Sequence, residues 1–346
     1  MPSPAASPSR APDTGFTFVN ALPRPSEVSN DLFTLFVALG VTAVMLLLIA
    51  FPSSLFEETL EENHDEIFGW FMRAGGVVGL VRVASTTFWR SPPGVLLFML
   101  VSAIVYGFLE PSFGLDVQSL ALVVGVAVGL ALTTATFEYP ITQFQRRANA
   151  ERGYIRVLPV SIVIAIACVA ASRLAGFEPG YIYGVVAFWA FTRGMSLRAE
   201  GSSVAVTSMF ILLVALIAWL SLPLADGLLT PGTLLHTVVA AVLTTVFVGG
   251  LQGLLIELLP LRFLRGATLW QWSRGLWVIV FLIAAFAFVH ILVVPNIDFM
   301  FESGGAGLIT ALGFLLAFTL FSIAFWAYFR HRSSLRDEPQ PLRQHR

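Results

Sequence analysis

Apolar and polar residues follow one another along this chain in long blocks. An α-helix needs about twenty apolar residues to cross a bilayer. Blocks of that kind run at 32–51, 94–110, 118–137, 157–175, 203–223, 233–256, 275–295 and 306–329. A shorter ninth block at 180–195 opens PGYIYGVVAFWAF and fits either a tilted short span or a re-entrant half-helix. The pattern predicts an all-α protein, a polytopic transmembrane helix bundle of about nine spans within residues 31–330.

Charge placement tests that count. All twenty basic residues are arginine. The strongest clusters are Arg146, Arg147, Arg152 and Arg156; Arg193 and Arg198; Arg262, Arg265 and Arg274; and a basic tail over 331–346 preceded by Arg330. Basic loops stay in the cytoplasm. Nine crossings, with the N-terminus outside and the C-terminus cytoplasmic, put every cluster inside, whereas eight would strand one group. The loops at Glu110–Asp116, Glu178, Asp226 and Asp298–Glu302 then lie outside, and none contains arginine. Residues 53–90 form a cytoplasmic connector with FEETLEENHDEIFGWF near its start. Phe56, Leu60, Ile67, Trp70 and Phe71 share one helical stripe opposite six carboxylates, the pattern of an amphipathic helix lying on the membrane surface.

Composition agrees with a lipid-embedded chain. Of 346 residues, 57% are hydrophobic and 12% charged, against about a quarter charged in soluble domains, and the mean hydropathy is +0.82. A net charge of -1 gives no reason to expect a nucleic-acid partner. Cys168 is the only cysteine and lies in an apolar run, which excludes an internal disulfide or a thiolate zinc site and marks it for packing. The Pro-, Ser- and Ala-rich start, MPSPAASPSRAPDTGF, heads a tail over 1–30 that is expected to be disordered and is not a signal peptide.

Ionisable groups inside spans are where function is sought first. His236 lies near the outer start of the seventh span and His290 near the outer end of the eighth, at similar depth. Arg173, Glu178, Tyr181 and Tyr183 fall at the same level. Together these six would form a polar pocket opening outward. At the inner level Glu138 closes span three and Glu257 closes span seven, each within reach of Arg262 or of Arg146 and Arg147. The small-residue pairs Gly125/Gly129 and Gly249/Gly253 suit close helix contacts, internal or between copies. HExxH, GxSxG, Walker and dinucleotide-binding motifs are absent. No metal or cofactor is expected.

The stretches LLPLRFLRGATLWQWSRGLWVIVFLIAAFAFVHILVVP and SRLAGFEPGYIYGVVAF resemble a family of uncharacterised bacterial integral membrane proteins named for an F-G-L-L-P signature. Ile256 and Glu257 stand where that signature has Phe and Gly. The resemblance implies polytopic topology and supplies no activity. A weaker likeness is to intramembrane prenyl-protein endopeptidases, through Phe286 and His290 and a misspaced Glu257 and Arg262, with the paired glutamate missing. The expected function is therefore a non-enzymatic structural or envelope- and secretion-assembly factor of the bacterial cytoplasmic membrane. Its partners would be the bilayer and other membrane proteins. The alternatives are a small-solute or lipid transporter using the outward pocket, and a degenerate protease of the prenyl-endopeptidase type.

Overall fold

The computed structural model describes residues 16–62, 91–149, 154–157, 160–175, 182, 187–190, 195–261, 264–294 and 306–336. In chain order they form α1 (Thr17–Asn20), α2 (Leu32–Glu62), α3 (Pro92–Gly107), α4 (Val117–Asn149), β1 (Tyr154–Val157), α5 (Val160–Ala175), β2 (Ala187–Ala190), α6 (Leu197–Leu228), α7 (Leu234–Glu257), α8 (Arg265–Trp272), α9 (Arg274–Phe288) continued by a π-helix (Val289–Val293), and α10 (Ala306–Arg336). Among the described residues four stretches are long and apolar enough to cross a membrane: Val117–Arg147, Leu197–Leu228, Leu234–Glu257 and Arg274–Val293. Leu32–Leu48, Pro93–Gly107 and Ala165–Leu174 are shorter apolar helices.

Short polar residues start these helices. The Ser91, Ser196, Thr233 and Ser273 side chains each accept a backbone N–H from the first turn that follows. Asp116 does the same for α4, accepting from the Ser119 N–H at 2.9 Å and from its hydroxyl at 2.7 Å. Those hydrogen bonds to the ionised form hold the exposed Asp116 carboxyl below its ordinary value of 3.8. Asp31, capping α2 through Thr34 and Ser29, is lowered for the same reason. Between α6 and α7 the turn is made by Gly232 at φ +80°, a conformation that L side chains resist.

The centre of the bundle is the pair α4 and α7, which run parallel. Gln118 accepts a hydrogen bond from Thr237 at 3.0 Å. Further along, Gly125 meets Val238 and Ala241, and Gly129 meets Thr245. A Cβ built on Gly125 would lie 2.6 Å from that of Ala241, and one on Gly129 would lie 2.5 Å from that of Thr245. The GVAVG motif is thus an internal packing seam. α6 packs along the same seam, with Trp219 stacked on Phe247 of α7 at 5.9 Å. Beyond it, α2 and α10 lie together, joined by a Thr319 hydroxyl donating to the Leu48 carbonyl.

Three expectations change. Residues 187–190 of the ninth block form a strand, paired antiparallel with β1 in the register Tyr154↔Ala190 to Val157↔Ala187. Its β-branched and aromatic run favours extended chain over helix. At Ile182, 1% exposed, the backbone N–H donates to the Gln252 side-chain oxygen at 2.6 Å, so non-helical chain at that depth is satisfied by protein. Residues 53–62 continue α2 without a break at Pro52, and 63–90 of the expected surface helix lie outside the described residues. The tail expected over 1–30 is packed from Phe16 onward: Phe16, Phe18, Val19, Leu22 and Val28 are buried in the core.

Two measurements follow. Gly129→Val overpacks the seam, which costs about 1–3 kcal/mol, and should lower the thermal midpoint in detergent; Gly275→Ala, with nothing within 4 Å of its Cβ position, should leave it unchanged. A group whose folded pKa is depressed contributes stability that is present above its unfolded value and lost as pH falls through the folded one. Asp116→Ala should therefore unfold at lower temperature than the parent at neutral pH, with the gap closing as pH drops below 3.8.

Candidate functional site

The buried ionisable groups described in the bundle gather at its two ends. At one end residues 16–31 form a strap across the helix termini. The Phe18 N–H donates to the Glu110 carboxylate at 3.1 Å, between α3 and α4. The Trp219 indole N–H donates to the Pro23 carbonyl at 2.8 Å. Next to it the Arg24 guanidinium enters the bundle, 5% exposed. Its Nη2 donates to Asp226 Oδ1 at 3.4 Å, and its Nε faces Oδ2 at 2.9 Å as an ion-pair contact. The same Oδ1 lies 3.0 Å from Nε2 of His236, which is fully buried in the first turn of α7. Asp226 being the acceptor, Nε2 carries the proton in the neutral ring and Nδ1 is left with a lone pair.

His290 is held by the far end of the strap. Its Nε2 lies 3.2 Å from Asn30 Oδ1, and its ring stacks on Phe286 one turn earlier at 5.3 Å and 9°. It sits in the π-helix that extends α9, a distortion that recurs at functional sites. Arg24 Nε and Nη1, His236 Nδ1 and His290 Nδ1 are buried and make no hydrogen bond among the described residues.

At the other end Glu138 is buried and accepts a hydrogen bond from Arg265 Nη2. Arg265 Nε lies 3.9 Å from Glu257 Oε2, a looser contact. Beside this group a small cleft, with room for about one water, is lined chiefly by apolar side chains of α4, α6 and α7, among them Phe137, Val204 and Leu254, with Glu257 and Arg265 also on its wall. Thr207 on the cleft wall buries a hydroxyl oxygen that makes no hydrogen bond. Trp277 closes this end: its indole N–H donates to the Leu258 carbonyl at 2.7 Å, past the last turn of α7.

Set against expectation, His236 and His290 do share one end, where His290 contacts Asn30 of the strap and His236 contacts Asp226, the partner of Arg24. Arg173 is exposed in the last turn of α5, and among the described residues no hydrogen bond or ion pair links it to either histidine. Glu178, Tyr181, Tyr183 and Arg262 lie outside the described residues. Glu138 and Glu257 do meet a guanidinium, that of Arg265. Glu257 precedes Leu258, the partner of Trp277, and thirteen residues of α9 and its extension separate Trp277 from His290. At 1.5 Å per residue that is about 20 Å, too far for Glu257 and His290 to share a reacting centre.

Arg24, Asn30, Asp226 and Arg265 hold these ends, and the sequence reading proposed none of them as a site. The apolar spacing of Phe16, Phe18, Val19 and Leu22 inside the Pro- and Ser-rich start was the available signal for the strap. Comparison with protein-family models, curated proteins and solved structures finds no match for this chain.

Arg265→Met leaves Glu138 buried without this guanidinium and should destabilise the protein. Removing one partner of a buried pair costs about 3–5 kcal/mol; with Arg265 part-exposed, about 1–3 kcal/mol is expected. Adding Glu138→Gln should recover part of the loss in denaturant titrations, giving a coupling energy near 1 kcal/mol by double-mutant cycle.

Proposed function

We propose that this chain is a non-enzymatic polytopic protein of the bacterial cytoplasmic membrane, a structural or assembly factor for envelope or secreted components. One observation supports the reading above others: the described ionisable groups within the bundle tie separate segments together. Arg24 binds the strap to α6, Asp226 links α6 to α7, and Arg265 fastens α8 to α4. Cross-links between segments, with no reacting constellation among the described residues, suit a protein that holds other components in place. The likeness of LLPLRFL, FAFVH and GFEPGY to the F-G-L-L-P family is consistent with it.

The proposed layout has nine crossings, the strap outside and the basic tail in the cytoplasm. The β1–β2 ladder supports it, because chain that leaves along α5 is back beside β1 at 187–190. The clusters at 146–156 and 193–198 then share a side, as inside-positive charge requires. Between the two, the Ile182 N–H is satisfied by the Gln252 side chain of α7.

A solute-handling transporter is the second reading, favoured by the π-helix at His290 and by the unpaired polar atoms beneath the strap.

Complementation of a deletion strain separates these readings from catalysis. Glu257→Gln and His290→Gln, expressed at parental levels in the membrane, should restore the strain's envelope or secretion phenotype fully. Loss of complementation by both would overturn the non-enzymatic reading. Alkaline phosphatase fused after residue 346 should be inactive, since it needs export to fold.

A further inference from the structure

The strap places a guanidinium where that of a ligand would sit. The groups that face it come from two bundle helices: the Asp226 carboxylate from α6, which contacts the guanidinium, and the His236 imidazole from α7, which contacts that carboxylate. Trp219, two turns before Asp226 on α6, holds the neighbouring Pro23 carbonyl of the strap. The cation alone comes from outside, on a segment that crosses nothing.

The fit is incomplete. Arg24 Nη1 and His236 Nδ1 are both buried and both lack a hydrogen-bond partner, and His236 is completely enclosed. A permanent tie would be expected to satisfy such atoms. Their cost weakens the closed strap relative to an arrangement in which another molecule, or water, supplies the missing partners.

The charge balance then decides what can replace the strap. When Arg24 withdraws, Asp226 is left as a carboxylate in a mostly enclosed site, which is unfavourable unless another cation arrives. Arg24 turns two nitrogens toward one carboxylate, but only Nη2 donates, to Oδ1 at 3.4 Å, while Nε lies 2.9 Å from Oδ2 without hydrogen-bond alignment. A planar guanidinium free of the chain can align both N–H groups on the carboxylate, which a point charge cannot. Glu27 does not compete for that fork, because its carboxylate accepts the Arg24 backbone N–H at 2.7 Å.

We propose that Asp226 and His236 form a socket for a small organic cation of the guanidinium type, that Arg24 occupies it as an in-chain ligand, and that ligand entry and strap release are one exchange. The proposal does not rest on the assembly reading, which the Glu257 and His290 variants test separately.

The test uses the full-length protein in lipid nanodiscs, with ethylguanidinium as probe and ethylammonium as control. Two quantities are read: thermal midpoint, and hydrogen exchange over residues 16–31. In the parent protein, millimolar ethylguanidinium should accelerate strap exchange several-fold, and ethylammonium should do so less. Arg24→Ala should lower the midpoint and speed strap exchange, and ethylguanidinium should restore its midpoint. Arg24→Ala combined with Asp226→Asn should gain nothing from the probe. If Arg24→Ala does not fold, Arg24→Lys serves, its strap responding to less ethylguanidinium than the parent needs. Strap exchange indifferent to the probe in the parent, or rescue that persists with Asp226→Asn, would overturn the socket.

Discussion

Two parallel helices touch along α4 and α7 with almost no side chain between them, because Gly125 and Gly129 face Ala241 and Thr245. Lipid offers little hydrophobic drive for helix to meet helix, so close van der Waals contact and satisfied polar groups must hold a bundle together. This contact sets the register of the two longest-packed elements. Everything attached to them is thereby fixed in depth: Gln118 against Thr237 at one end, Glu138 against Arg265 at the other. Shifting the seam by a turn would part both pairs.

The two ends use their charges differently. At the Arg265 end, a carboxylate from one spanning helix meets a guanidinium from the short helix α8, and the bond turns the chain back into the bundle towards Trp277. At the strap end, the cation sits on a segment that belongs to no spanning helix. Removing α8 from its place would disturb α7 and α9 on either side of it. The strap itself is held by buried apolar side chains from Phe16 to Val28 and by polar ties to Glu110, Trp219 and Asp226.

Much of the helical framework was legible in the sequence, since twenty-residue apolar blocks have few other uses. The central blocks at 118–137, 203–223, 233–256 and 275–295 correspond to the four helices long and apolar enough to cross a membrane, and His236 and His290 fall at one end as their positions in antiparallel spans require. What escaped depended on choices between near-equal alternatives. YIYGVVAFWAF is apolar enough to suit a short helix and β-branched enough to suit a strand, and only β1 beside it favours extension. Phe16 to Leu22 is too brief an apolar stretch to stand out among prolines and serines. Its burial needs Glu110, Trp219 and Asp226, which arrive from 92 to 202 residues away.

The amino-acid order by itself determined that this chain is built of lipid-compatible helices and where most of them lie, because hydrocarbon admits few other backbones. It also determined which ionisable groups would be costly to bury. Only the tertiary structure decided who neutralises whom: Arg265 lies beside Glu138, and Arg24 lies beside Asp226, a pairing that no local pattern announced. The physical reason is range. A helix records its environment in neighbouring residues, whereas a buried charge is satisfied by whichever distant group the packing brings within about 3 Å.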